Sequence, residues 1–181
     1  MIQSLCKKIL FDWMGYKNNV TVTLPDKYII ALAPHTSNWD FVIGILYSRA
    51  MGFRCDFMIK SFWFFWPMGP LMRALGGVPV VRSKNMSLTD QLAEAARSRK
   101  TFHLCITPEG TRKRVTEWKK GFYYIALKAN IPILLYALDY KTKEITCTKS
   151  VVPDGNYDVQ LKEIKEYYRD VQGKHPELFS I

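Results

Sequence analysis

What the chain lacks narrows it first. Its four cysteines, Cys6, Cys55, Cys105 and Cys147, stand far apart with no CxxC pair, so neither a zinc site nor a disulfide framework is indicated, and a reducing compartment is expected. No run of 18 or more uncharged apolar residues occurs, which removes a transmembrane helix from consideration. Asp12 interrupts the apolar N-terminus and no small-residue cleavage site follows it, which argues against a secretory signal. Repeats, low-complexity stretches and linkers are missing too, and 181 residues at 48% hydrophobic content suit one domain with a real core. Acid is scarce: 16 acidic side chains face 26 basic ones, a formal net charge of +10. Such a surface wants an anionic partner, whether nucleic acid, an acidic lipid surface, or a phosphorylated or acidic substrate carrier. The basic residues are scattered and no nucleic-acid motif occurs, so nucleic acid is not expected as a partner.

What is present alternates. Continuous apolar runs at 28–33, 101–106 and 131–138, with a shorter one at 56–59, have the character of strands covered on both faces. Helical spacing connects them at 41–52, at 88–100 behind a capping box of Ser87 and Asp90, at 118–128 with an interruption at Gly121, and at 156–171. A short strand is expected at 20–24, an edge strand at 78–82 because Pro79 cannot donate to a ladder, and a return hairpin at 145–152. The expected fold is a single α/β domain, a mostly parallel, mixed sheet flanked by helices, spanning 18–181. Ahead of it, residues 1–17 hold a short amphipathic helix in which Ile2, Leu5, Ile9, Leu10 and Trp13 mix with Lys7 and Lys8. That composition suits a bilayer surface and packing on the domain equally. Phe62 to Trp66 are five aromatics in succession, which cannot all point inward and are expected to touch lipid or line an acyl-chain groove.

Chemistry gathers where strands end. Pro34-His35-Thr36-Ser37-Asn38-Trp39-Asp40 joins the 28–33 strand to a helix, the place where open α/β sheets bind ligands. His35 and Asp40 meet only if the chain turns between them, since residues five apart on a helix diverge by roughly 140°. Ser37 and Asp40 also form a capping box, and one carboxylate has oxygens enough for both roles. Lys60 and Arg82 end the next strands, and Glu109, Gly110, Thr111 and Arg112 follow the 101–106 strand, where a plain Glu109–Arg112 ion pair is the simplest arrangement. His103 and Cys105 share a face and read as core. A base–carboxylate pair beside three cations suits deprotonation of a nucleophile on a phosphate-bearing substrate. No serine or cysteine nucleophile with a partner is evident, which favours direct transfer.

These residues resemble the glycerolipid acyltransferases, the group that includes bacterial lysophosphatidic acid acyltransferases. HTSNWD (35–40) resembles the family's HxxxxD motif, GGVPVVR (76–82) its second block, TPEGTR (107–112) its third and IPI (131–133) its fourth, in the family's order over about residues 28 to 140. The resemblance implies transfer of a fatty acyl group from acyl carrier protein or coenzyme A to a lysophospholipid hydroxyl, with no bound cofactor or metal. It implies His35 as general base, Asp40 as the group that fixes its tautomer, and Arg82, Lys60 and Arg112 as holders of the acceptor's phosphate. Glu109, Gly110 and Thr111 would position the glycerol. The work would be done at the cytoplasmic face of the cell membrane, held there peripherally by an anionic surface. Thr107 stands where many relatives have Phe, and the chain begins only 34 residues before His35. Attachment is therefore expected to rest on the short N-terminal helix, the aromatic run and the positive charge.

Overall fold

The computed structural model describes residues 2–80 and 86–181. The chain opens with α1 (Ile2–Lys7), continued by a π-helical turn over Lys8–Trp13, then β1 (Lys17–Val20), β2 (Lys27–Ala33), α2 (Asn38–Met51) and β3 (Asp56–Lys60). A 3₁₀ turn at Ser61–Phe64 leads to α3 (Met68–Leu75) and β4 (Gly77–Val80). The second half runs α4 (Leu88–Ser98), β5 (Phe102–Ile106), α5 (Gly121–Ala129), β6 (Ile133–Asp139), β7 (Glu144–Cys147), β8 (Ser150–Val151) and α6 (Tyr157–Tyr167). A last 3₁₀ turn occupies Pro176–Leu178.

The strands lie in the order β1-β7-β6-β2-β5-β3-β4, with β8 also on β6. β2, β3, β4, β5 and β6 are mutually parallel, while β7 and β8 return antiparallel to β6. The expected parallel core and the return hairpin are both present, and the edge position of β4 suits Pro79. Alternate residues of β2 face different layers: Ile29 and Ala31 meet Phe122, Ile125 and Leu104, whereas Tyr28 and Ile30 meet Ile43, Tyr47 and Tyr136. One face is thus covered by α4, α5 and α6, the other by α1 and α2. The loops leaving β2 and β5 depart to opposite faces, and that divergence opens a crevice at their carboxyl ends.

Three boundaries differ from expectation. β1 stops at Val20 because its register partner β7 stops at Cys147, whose carbonyl takes the next N–H of Thr21. Gly121 starts α5 and does not interrupt it: the N–H of Lys119 is donated to Pro108 O at 2.7 Å, so the preceding turn belongs to the 107–112 loop. α6 ends at Tyr167 because the chain tightens there, seating Tyr168 wholly inside with its hydroxyl donating to Ala31 O at 2.7 Å.

The N-terminal helix packs on the domain through Cys6 and Leu10, which join the core of α2. Burying Leu10 completely contributes about 2 kcal/mol to that clamp. Its other side holds Ile2, Leu5 and Trp13 in solvent. Gly76 closes α3 at φ 105°, where a Cβ would come within 2.2 Å of Cys55 O. Only glycine lets β4 start beside β3 there.

Candidate active site

After β2 the chain turns through Pro34, and Ser37 caps α2 by accepting from Trp39 N at 3.2 Å. Asp40 reaches back to accept from Ser37 N at 2.9 Å, completing the capping box. The same oxygen, Oδ2, accepts from Thr36 N at 2.9 Å and lies 3.0 Å from His35 Nδ1. Asp40 makes both the cap and the contact to His35, because the turn that caps the helix also folds His35 back over its first residues.

The second oxygen, Oδ1, accepts from the hydroxyl of Tyr140 at 2.6 Å. Asp40 is 1% exposed and His35 20%. Burial pushes the Asp40 carboxyl upward, but hydrogen bonds from His35, Tyr140 and Ser37 N outweigh it and hold it below the usual carboxylate range. The ionised carboxylate only accepts, so His35 Nδ1 is the donor in this pair. Burial and the bond to Asp40 both raise the Tyr140 phenol, which stays protonated and donates.

Glu109 sits behind this pair. Its Oε1 accepts from His35 N at 2.8 Å, its Oε2 has no partner among the described residues, and it is 4% exposed. Burial raises its carboxyl, and the N–H of His35 offsets only part of that. The simple Glu109–Arg112 pair is not formed: Arg112 instead donates to Asn38 Oδ1 at the start of α2. Gly110 turns at φ 65°, where a Cβ would come 2.9 Å from Lys119 Cγ. The turn delivers Thr111, whose hydroxyl accepts from Lys113 N at 3.3 Å.

His35, Asp40, Gly110, Thr111 and Arg112 line one cavity of about 850 Å³, within the size of small-molecule sites. Its other walls are mostly apolar and include Phe41, Gly44, Phe57, Met58, Phe122 and Tyr136. β3 and β5 are in register at Asp56–Leu104 and Phe57–Cys105, and the cavity takes in the residues just beyond, Met58 and Ile106. Cys105, expected in the core, is part of this wall, while His103 stacks on Tyr28 with centroids 4.4 Å apart. A smaller polar cleft beyond Arg112 is bordered by Thr36, Ser37, Lys113 and His175.

Of the remaining expected residues, Lys60 is the last residue of β3, paired in register with Val80. Its side chain, like the whole of Arg82, lies outside the described residues. Tyr140 was not anticipated. The rule that gathered the other residues, polar groups at the carboxyl ends of parallel strands, reaches it when applied to β6, which runs parallel to β2 and ends at Asp139. The C-terminal segment was missed as well: Gln172 O accepts from Tyr140 N at 2.9 Å, and His175 N donates to Thr36 Oγ1 at 3.1 Å.

A family model described as Acyltransferase matches residues 17–138. Among solved structures, the crystal structure of the 1-acyl-sn-glycerophosphate (LPA) acyltransferase PlsC from Thermotoga maritima is similar, with a TM-score of 0.64 at 20% identity. The match covers 92% of this chain and 74% of that one, and the two share a fold. No curated protein sequence matches significantly.

Proposed function

The chain belongs to the acyltransferase family, and from that premise we propose that it moves a fatty acyl group from an acyl thioester to the free hydroxyl of a lysophospholipid, 1-acyl-sn-glycerol-3-phosphate. The observation that carries this reading is the His35–Asp40 pair, 3.0 Å apart, lining a largely apolar cavity that Arg112 lines too. His35 Nε2 takes the proton of the acceptor hydroxyl as its oxygen attacks the thioester carbonyl carbon. Collapse of the tetrahedral intermediate breaks the C–S bond, and the leaving thiolate recovers the proton from the imidazolium, giving ester and thiol. The acyl chain lies along the apolar walls. The acceptor's phosphate is met by Arg112 in this reading, with Lys60 and Arg82 as further cations and Gly110 and Thr111 against the glycerol. Glu109 supports His35 from behind through its backbone. The donor is acyl-ACP or acyl-CoA. The likeness to PlsC, an LPA acyltransferase, supports this acceptor.

Thiol release from a long-chain acyl thioester, measured with purified protein over a panel of acceptors, tests it. Release that depends on 1-acyl-sn-glycerol-3-phosphate is the expected result. Release with an amino-acid lipid or another lipid hydroxyl alone would move the assignment to that acceptor, and no release with any would end it.

The same reading places the enzyme on the cytoplasmic face of the membrane. Supporting it, Trp13, Phe62 and Trp66 are 71%, 76% and 82% exposed, and the large hydrophobic side chains in solvent fall mostly on α1, α2, α3 and the aromatic turn. Lys7, Lys8, Arg49 and Arg73 lie on α1 with its π-helical continuation, on α2 and on α3, with Asp12 the exposed acid among them. Exposed aromatics with bases on the same segments suit an anionic leaflet, each base contributing about 1 kcal/mol. No helix among the described residues is long and apolar enough to cross a membrane. A Phe62→Ser, Trp66→Ser double variant is expected to bind phosphatidylglycerol vesicles about 10-fold more weakly or worse in sedimentation. Unchanged binding would remove the aromatic turn from the contact.

A further inference from the structure

Asp40 is surrounded more completely than a helix cap requires. The cap and the link to His35 use Oδ2 alone, which takes Thr36 N, Ser37 N and His35 Nδ1. Oδ1 is left to Tyr140, whose hydroxyl approaches to 2.6 Å from the far end of β6, 100 residues along the chain. Tyr140 is itself held by its main chain, its N–H donating to Gln172 O at 2.9 Å, and its ring meets Tyr16 edge-on at 6.4 Å. It lies beyond the stretch matched by the family model, residues 17–138.

We propose that Tyr140 is a positioning residue for the reaction: by fixing the second oxygen of Asp40 it keeps the first aimed at His35 Nδ1, so that the imidazole presents Nε2 to the acceptor hydroxyl. Oδ2 stays pinned by the N–H groups of Thr36 and Ser37, so the part of the phenol is to fix the plane of the carboxylate and to share its charge. The phenol also draws on the negative charge that Asp40 offers the imidazolium. The other ionisable groups around the pair are Glu109 and Arg112 from the loop after β5, Tyr16 and Asp139 beside Tyr140, and His175 against Thr36. None of these donates to Oδ1 among the described residues, so the loss of Tyr140 is uncompensated.

The proposal rests on His35 acting as base, and its test is chosen to separate the two. In Tyr140→Phe the ring stays and the hydroxyl goes. Asp40 then holds the protonated imidazole harder, so the His35 titration, followed by NMR, moves to higher pH by about half a unit or more. The acid limb of kcat/KM moves with it, and kcat falls about 10-fold with the KM of both substrates unchanged. Tyr16→Phe, which leaves the bond to Asp40 intact, serves as control and leaves the titration in place. An unmoved His35 titration in Tyr140→Phe overturns the proposal. A moved titration with unchanged turnover overturns it too, because the contact then does nothing for the reaction, while thiol release lost in His35→Ala would leave the general-base reading standing. Should Tyr140→Phe fail to fold, 3-fluorotyrosine at position 140, a stronger donor of the same shape, must move the titration to lower pH, and a titration that stays put again overturns the proposal.

Discussion

His35→Ala is expected to release thiol from an acyl thioester at least about 10³-fold more slowly than the unchanged protein, with the KM for donor and acceptor hardly moved. The size follows from what remains. The substitution takes away the only imidazole in the cavity wall and nothing that grips either substrate: Arg112, Thr111 and the apolar walls are untouched. A hydroxyl with no base at hydrogen-bond distance attacks a thioester slowly, whatever its position. The fold survives, because Asp40 keeps the N–H groups of Thr36 and Ser37 and the hydroxyl of Tyr140, and the backbone N–H at position 35 still reaches Glu109. The melting temperature therefore drops by a few degrees at most. Turnover at the unchanged rate in a folded His35→Ala protein would mean that the base is elsewhere.

Asp40→Asn has a double effect. Thiol release falls about 10²-fold or more, because an amide no longer enforces the Nδ1–H tautomer nor offsets the charge of the imidazolium. Stability falls too, by about 1–3 kcal/mol, since bonds to a buried carboxylate become bonds to a neutral group and the amide cannot reproduce all of them. The pH dependence carries a sign. The Asp40 carboxyl is held low in the folded protein, burial notwithstanding, by His35, Tyr140 and Ser37 N. Its stabilisation is therefore complete above the ordinary carboxylate range and is lost as pH falls through the lowered folded value. Denaturant unfolding of the two proteins should show a gap at neutral pH that narrows on acidification. An Asp40→Asn protein of full activity and unchanged unfolding would show both assignments to be mistaken.

The sequence was most legible where structure is local. Ser37 and Asp40 are three apart, the span of a capping box, and His35 lies on the turn that such a box requires, so the pair is readable from spacing. The apolar runs at β2, β5 and β6 announced strands buried on both faces, and Pro79 announced an edge. Five consecutive aromatics could not all be inside, and Phe62 and Trp66 are not. Order within the sheet left no such trace. β1 pairs with β7 across more than 120 residues, and β2 is flanked by β5 and β6 with no sequence neighbour beside it. Side-chain partners were hidden for the same reason. Glu109 and Arg112 sit close together in the chain, yet one turns inward to His35 N and the other outward to Asn38. A hydroxyl at the end of β6 meets Asp40 only because β6 lies beside β2.

The carboxylate that caps α2 also meets the imidazole, and its second oxygen is taken by a residue just past the end of β6. On the proposed function, activity toward acyl thioesters is expected only once β6 has docked beside β2. A nascent chain that has made β2 and α2 but not yet β6 has its histidine without the finished support. Recovery of activity on refolding is expected to follow the docking of β6 against β2.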